Sequence, residues 1–311
     1  MALGTGRRRA LIVLGALAVV TALATSAALV ATPRDVASAQ NTVTIQRAHS
    51  GAATPVLKHR VSFLVIGSDS GAPKHGRGGT AGGGRADSIH LVVLDTTKAR
   101  GISIGFPRDS YVAIPGHGTD KINAAMSSGG PSLLIRTIEQ LTGIGVDYYA
   151  LTSFDGLVDI VHKVGGVTVE VDMNLVDSFS GANFHKGTQR LSGNQALAYS
   201  RARHGTPQGD LTRSEHQGQV LIGGLATFQK QVAKDPAQVM KWLAILNDEV
   251  HTDLPFTELL RLALVATQVP PSRINNVVAP GTPGSAGAAS VVRLQSGAFA
   301  LFNRVKRGGF A

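Results

Sequence analysis

In the stretch QALAYSRARHGTPQGDLTRSEHQ (195–217), Arg201 and Arg203 stand two residues apart and Arg213 follows where a helix should begin. If the chain is extended around 201–203, both guanidinium groups point to one face. The N-terminus of the following helix itself favours anions. Arginines converging in this way suit a phosphate or diphosphate, because guanidinium pairs bidentately with phosphate oxygens. Three further polar stations sit just past predicted strands or helices: Asp69 with Asp87, Arg108 with Asp109, and Lys121 with Asn123. Two carboxylates near such arginines suit Mg²⁺ (or Mn²⁺), a hard cation that takes oxygen ligands and shares them with phosphates. Each residue also has a plainer reading. An Asp after a strand can form a turn or cap a helix, Asp109 can pair with a neighbouring arginine instead of acting as a base, and Lys121 and Asn123 can simply hold their loop. The histidines at 75, 90, 117, 204 and 216 are scattered without an H-E-x-x-H spacing, which argues against zinc.

The elements that must position these residues read as alternating strands and helices. RVSFLVIGSD is apolar from Val61 to Ile66 and breaks at Gly67, as a buried strand entering a loop does. SIHLVVLD and GISIGF are the next two strands, and the second delivers Arg108 to a rim just past Pro107. Active sites of open α/β sheets lie outside the carboxyl ends of strands. Gly101–Gly105 matches the nucleophile-elbow pattern G-x-S-x-G, but Ile102 and Ile104 alternate with Ser103 as in a strand and Pro107 follows, so no strand-to-helix turn is expected. Helices are predicted over 131–142, with Pro131 in the first turn and Gly143 as the stop, over 154–164, and from a Ser192 cap. A long amphipathic helix is predicted over 213–233, with Leu221, Leu225, Phe228 and Val232 on one stripe, and two more helices near 237–250 and 255–269. VTVEV reads as a short strand and APGTPGSAGAAS as a flexible loop. The pattern argues for a layered α/β domain.

The chain has 311 residues, 43% hydrophobic but only 5% aromatic, so Leu, Val, Ile and Ala must build the core. It has no cysteine, which excludes disulfides and thiolate metal sites. The formal charge of +10 fits an anionic ligand or membrane surface. Without a basic stripe interleaved with aromatics, nucleic acid is not an expected partner. Arg7–Arg9 precede a run with no charge from Ala10 to Thr32, which is long enough for a helix to cross a hydrocarbon core of roughly 30 Å. The arginine flank places residues 1–9 in the cytoplasm and everything after the span outside. A cleaved signal peptide is the rival reading, with ASA at 37–39 as the cleavage site, but the apolar run is long for a signal core. The expected organisation is a basic tail (1–9), a transmembrane anchor (10–32), a linker (33–59) and an extracytoplasmic catalytic domain (60–311).

Six segments in order, LVIGSDS, GRADSIHLVVLD, GFPRDSYVAIPGHGTDKINAAMSSGGP, DYYALTSFDGLVDIVHKVGGVTVEV, LSGNQALAYSRARH and GDLTRSEHQ, make the chain resemble the LytR-CpsA-Psr family of cell-wall glycopolymer transferases. The resemblance implies an α-β-α sandwich with a central mixed sheet and an apolar pocket for a lipid tail. It implies transfer of a glycopolymer from a polyprenyl-diphosphate carrier to a peptidoglycan hydroxyl, with a phosphodiester link as product. By position, Asp69 and Asp87 match metal-binding carboxylates. Arg85, Arg108, Arg201, Arg203 and Arg213 match the diphosphate site, and Gln195, Lys121 and Asn123 lie in matched motifs. Arg108, Asp109, Arg203 and Arg213 are the expected catalytic group. Ser70 and His216 depart from the arginines common at those positions, and the insert 71–84 is long and glycine-rich. A diphosphate hydrolase using the same site, and a non-catalytic lipid-binding or regulatory protein, are the alternatives.

Overall fold

The structure, a computed structural model, describes residues 59–69 and 84–310. The expected tail, anchor, linker up to residue 58 and most of the glycine-rich insert lie outside the described residues. No helix among the described residues is long and apolar enough to cross a membrane.

The strands are β1 (Arg60–Ser68), β2 (Ala86–Asp95), β3 (Arg100–Gly105), β4 (Tyr111–Ile114), β5 (Gly118–Lys121), β6 (Tyr148–Ser153), β7 (Val167–Val171), β8 (Leu175–Asp177), β9 (Ala182–Phe184), β10 (Gly187–Leu191), β11 (His251–Thr252), β12 (Ile274–Val278), β13 (Gly281–Ala286) and β14 (Ala289–Leu294). The helices are α1 (Ala124–Thr142), α2 (Phe154–Lys163), α3 (Gly193–Arg201), α4 (Asp210–Lys234), α5 (Gln238–Glu249), α6 (Phe256–Ala266) and α7 (Ser296–Lys306). Six strands form a mixed sheet in the order β11-β6-β1-β2-β3-β12. β1 runs parallel to β6 and antiparallel to β2, and β3 runs antiparallel to β2 and parallel to β12. The carboxyl ends of β1, β3, β6 and β12 therefore share one rim with the start of β2, where Ser68 pairs with both Ala86 and Ser153.

Strand alternation divides the sheet into two chemically different faces. Leu64, Ile66, Ile89, Leu91, Ile102 and Ile104 bury one face against Leu133, Leu134 and Ile138 of α1 and Leu301 and Phe302 of α7. The other face is mixed, with Phe63, Val65 and Val92 toward one side and His90, Ser103 and Gly105 under α4. His90 Nδ1 lies 3.2 Å from Ser103 Oγ there, and α4 comes so close that a Cβ on Gly105 would collide with Ser214. Ser103 is buried inside β3, so the G-x-S-x-G match has no nucleophile to offer.

Away from the sheet, β7 and β10 form a ribbon whose Val167, Val169, Val171 and Leu191 pack with Ala196 and Tyr199 of α3 and Val220 of α4. A third cluster joins Phe228 and Val232 of α4 to Trp242 and Leu243 of α5. α1 begins earlier than its proline suggests, because a first turn ahead of Gly129 and Gly130 is joined to the helix started by Pro131 across non-helical backbone. The expected loop at 279–290 is instead the hairpin β13–β14, turned at Gly287 (φ 59°). Its Gly, Pro, Ser and Ala carry no period-two signal, and the pairing is anchored by Val291 and Val292 on the partner strand, both buried.

Candidate active site

Each arginine of the expected group reaches the rim by a different route. β3 is followed by Phe106, stacked 5.7 Å from Phe302, and this buried ring fixes the point at which Pro107 and Arg108 leave the sheet. Arg108 Nη1 donates to Asp87 Oδ1, and Asp87 is the second residue of β2. Burial opposes the charge on Arg108, but the hydrogen bond and the negative charge of Asp87 outweigh it, and the guanidinium is held above its ordinary value. Arg213 lies in the first turns of α4 and is 7% exposed. Its Nη2 is 3.2 Å from Asp210 Oδ2, and Nη1 of Arg203 is 3.5 Å from Oδ1 of the same carboxylate. Burial alone would raise the Asp210 carboxyl. Arg213, a hydrogen bond with Asp109, and then Arg108 and Arg203 hold it below the usual range. Lys121, at the end of β5, closes the group from the other side, 3.0 Å from Asp109 Oδ1. Arg213 is pushed down by burial, yet it remains a cation, since a guanidinium does not lose its proton in proteins.

The loop carrying Arg203 has its own support. Asp177, at the end of β8, is buried and accepts the backbone N–H groups of Arg203 (2.9 Å), His204 (3.1 Å), Phe179 (3.0 Å) and Ser180 (3.4 Å). Burial works against its charge, but these donors hold the carboxyl far below the usual range. His204 Nδ1 sits 3.3 Å from the same carboxylate, and its ring lies 4.3 Å from that of Phe179, which is 78% exposed.

These residues border a cleft of about 430 Å³. Asp69, Asp87, Arg108, Arg201, Arg203 and Arg213 line its polar end. Val65, Phe154, Leu157, Leu197, Val220 and Leu221 line a continuous apolar wall between the sheet, α2, α3 and α4. Arg201 lies 5.3 Å above the Phe154 ring, so one guanidinium sits where the two chemistries meet. A cleft with one cationic end and one apolar wall fits a long amphiphile with an anionic head.

The remaining expected residues fall elsewhere. Arg85 is largely exposed, donates its backbone N–H to Asp69 Oδ1 (3.1 Å), and carries its side chain 3.8 Å from that carboxylate, outside the cleft lining. Gln195 caps α3 by accepting the N–H of Ser192 at 2.9 Å and does not line the cleft. Asn123 is buried at the start of α1, with its N–H on the carbonyl of Arg108 at 3.2 Å, so it ties the Arg108 loop down through backbone. His216 faces away from the cleft, stacked 4.2 Å from Tyr199 in the second core. Its departure from arginine therefore removes no cation from the cleft lining.

Asp210, Asp177, His204 and Gln217 belong to the site and were not singled out from sequence. Asp210 could have been found, because an acid three residues before a first-turn arginine pairs with it on a helix. Gln217, which donates to the carbonyls of Asp87 (3.2 Å) and Ser200 (3.1 Å), follows His216 in the last matched segment. For Asp177 only the local turn to Phe179 and Ser180 was within reach of the sequence, since Arg203 and His204 lie a hairpin and a helix away.

A mixed α/β sheet with helices on both faces carries, at its carboxyl rim, a cleft lined by arginines and by apolar side chains. The LytR_cpsA_psr family model matches residues 24–306, and the chain belongs to that family. It is 33% identical over 223 residues to the polyisoprenyl-teichoic acid–peptidoglycan teichoic acid transferase TagU of Enterococcus faecalis, covering 71% of this chain and 70% of that one. It is 37% identical over 173 residues to the probable cell wall biosynthesis protein LcpB of Corynebacterium glutamicum, covering 53% of this chain and 41% of that protein. Among solved structures, TagV of Bacillus subtilis superposes with a TM-score of 0.67 at 27% identity, covering 80% of this chain and 96% of that one.

Proposed function

We propose that this protein transfers a glycopolymer from a polyprenyl diphosphate carrier to a hydroxyl of peptidoglycan, leaving a phosphodiester link. The observation that carries the reading is the joining of a four-arginine end (Arg108, Arg201, Arg203, Arg213) to an apolar wall in one cleft. A diphosphate has the charge for the first and a polyprenyl chain the surface for the second. Transfer of a phosphoryl group needs mainly positioning and neutralisation of spreading charge. Arg108 and Arg213 are fixed by Asp87 and Asp210 and can donate to phosphate oxygens without reorganising. Family membership and the names of relatives such as TagU support the same donor and acceptor classes.

Asp69 and Asp87 fit a magnesium site of the kind completed by substrate. Both line the cleft, and the hydrogen bond from Arg108 takes only Oδ1 of Asp87. Among the described residues no cluster of three or more His, Asp or Glu gathers to form an all-protein cage. Mg²⁺ is commonly held by one or two carboxylates together with phosphates and water, so two suffice. When bound, the ion would neutralise charge on the diphosphate. The reading further places the domain outside the cytoplasm, tethered by the charge-free run 10–32.

The test is incubation of the purified full chain in detergent with a lipid-linked glycan, Mg²⁺ and soluble peptidoglycan fragments. A peptidoglycan-linked glycan phosphate together with polyprenyl phosphate is the expected outcome. Released glycan phosphate with no peptidoglycan product would mean a hydrolase, and binding of the lipid without any turnover would mean a carrier or regulator.

A further inference from the structure

The β8–β9 hairpin stands at the mouth of the cleft and carries an apolar tip. Its inward positions are ordinary: Leu175, Ala182 and Phe184 are buried in the second core, and Asp177 is turned onto the backbone of Arg203 and His204. The outward face of such a ribbon is normally polar. Here Val176 is 71% exposed, and Phe179, at the turn, is more exposed still; Phe256 and Phe299 elsewhere are less so. Single exposed apolar side chains need no explanation, but two on one hairpin mark a contact surface. The tip is also built rigidly. Asp177 takes the N–H groups of Phe179 and Ser180, Ser180 Oγ accepts the N–H of Ala182 at 3.3 Å, and the N–H of Lys186 donates to Asn174 Oδ1 at 2.9 Å, closing the base. Phe179 is therefore held outward by its own turn. Phe179 and Ser180 also line the cleft.

We infer that this tip is the surface on which the domain rests against an anionic lipid bilayer. Val176 and Phe179 enter the interfacial layer, and the cleft mouth sits at headgroup depth. The inference rests on the transfer reading above and adds where the domain meets the membrane. Three observations favour a bilayer as the occupant. The first is continuity. Phe179 borders both solvent and the cleft, so a lipid moving from bilayer to apolar wall passes the tip without exposing its chain to water. The second is charge. Between Met173 and Lys186 the acid is Asp177, which is buried, whereas His185 and Lys186 are exposed, as is Arg201 at the cleft. Basic groups beside an apolar surface are drawn to anionic headgroups. The third is reach. β1 starts at Arg60, at the end of the sheet opposite the rim, and its 9 residues span roughly 30 Å. Residues 33–58 could cover on the order of 85 Å when extended. A tether at 10–32 thus leaves enough chain for the rim to turn toward the bilayer.

The chain has no cysteine, so one introduced thiol labels one place. Ser178→Cys, exposed beside Phe179, carries a nitroxide at the tip. Asn303→Cys carries the control label on α7, near the end of the sheet where Arg60 Nη1 donates to the Lys306 carbonyl at 3.0 Å. The full chain is placed in nanodiscs of phosphatidylglycerol and phosphatidylcholine. Collisions with oxygen, which concentrates in lipid, and with a nickel chelate, which stays in water, report the depth of each label. The inference expects oxygen to dominate at the tip and nickel at the control. Val176→Glu with Phe179→Ser in the labelled chain should abolish the oxygen excess, with circular dichroism checking the fold. Nanodiscs of phosphatidylcholine alone should give a smaller excess; an equal one would overturn the anionic preference. A nickel-accessible tip without the two replacements would overturn the inference, as would an oxygen excess that survives them. A tip label shielded from both reagents would mean a protein partner or a second copy, and would overturn it too. Should the double variant fail to fold, Val176→Glu alone decides. The depth measurement needs neither donor nor turnover. Failure to bind polyprenyl diphosphate would remove the transfer reading and leave the depth result standing, so the two failures are distinguishable.

Discussion

Arg108 illustrates how one side chain serves fold and chemistry together. Its hydrogen bond to Asp87 joins the end of β3 to β2 across the rim, and the residue also lines the cleft. Replacement by lysine keeps a charge and loses the bidentate fork. A hydrogen bond to a charged group is worth roughly 1.5–3 kcal/mol, so Arg108→Lys should slow transfer about tenfold to a hundredfold. Binding of the uncharged polyprenol should change little, and calorimetry with diphosphate and alcohol checks the contrast. Equal losses for both lipids would show that Arg108 shapes the cleft and does not read phosphate. His90 makes a different prediction, on stability. Burial between the sheet and α4 pushes its imidazole down to about 4 from an ordinary 6.5. The folded protein therefore keeps His90 neutral where the unfolded chain already binds a proton. Stability is full above pH 6.5 and declines as pH falls toward 4, by on the order of 3 kcal/mol in all. Urea midpoints between pH 4 and 7.5 should show this slope in wild type and a shallower one in His90→Gln.

At the scale of elements, the break in α1 is a test of backbone conformation. Gly130 adopts φ 63°, ψ −161°, a region open essentially to glycine alone. Gly130→Ala should cost about 1–3 kcal/mol, read as a lowered thermal midpoint, with no change in diphosphate affinity. The same helix shows what could be read from the sequence. Pro131 and Gly143 mark its second half unambiguously, while the turn before the glycines carries no periodic signal and forms only because Ala125 and Met126 find a place in the first core. The strands that build the rim were legible for the same kind of reason: Val61–Ile66 is a nearly continuous apolar run, and Ile102 and Ile104 alternate with Ser103. The β8–β9 and β13–β14 hairpins were not, because they are short ribbons whose registers come from neighbours distant in sequence. The site follows the same rule. Arg108 and Arg213 are announced by a strand end and a helix start. Asp177 acts on Arg203 through backbone N–H groups, and a contact of that kind leaves no mark on residue spacing. Of the stripe Leu221, Leu225, Phe228 and Val232, the last three pack as core toward α5, and Leu221 lines the cleft.

On the scale of the whole molecule, the site is a junction between packing units. Asp87 and Arg108 belong to the sheet and its α1–α7 core, whereas Arg201 and Arg203 hang from the unit built by β7, β10 and α3. α4 spans both. Its first turns supply Asp210 and Arg213, its middle lies so close to the ribbon that a Cβ on Gly223 would sit 2.5 Å from the Thr168 carbonyl, and its last turns pack on Trp242. Four guanidinium groups facing one space repel one another, a repulsion that the carboxylates of Asp69, Asp87, Asp177 and Asp210 around them reduce. A dianionic ligand binding there relieves the repulsion and bridges the two units, so it stabilises the folded state as a whole. At a free concentration of 100 times Kd the linkage is about 2.7 kcal/mol, which raises the thermal midpoint by roughly 5–10 °C for a domain of this size. Polyprenyl diphosphate should produce that rise, polyprenyl monophosphate a smaller one, and polyprenol almost none. Arg213→Ala should abolish most of the diphosphate-dependent rise, because Arg213 is the arginine fixed in the element that joins the units. A rise of equal size with the alcohol would mean that the apolar wall alone carries the binding, and that the arginines are not its anionic end.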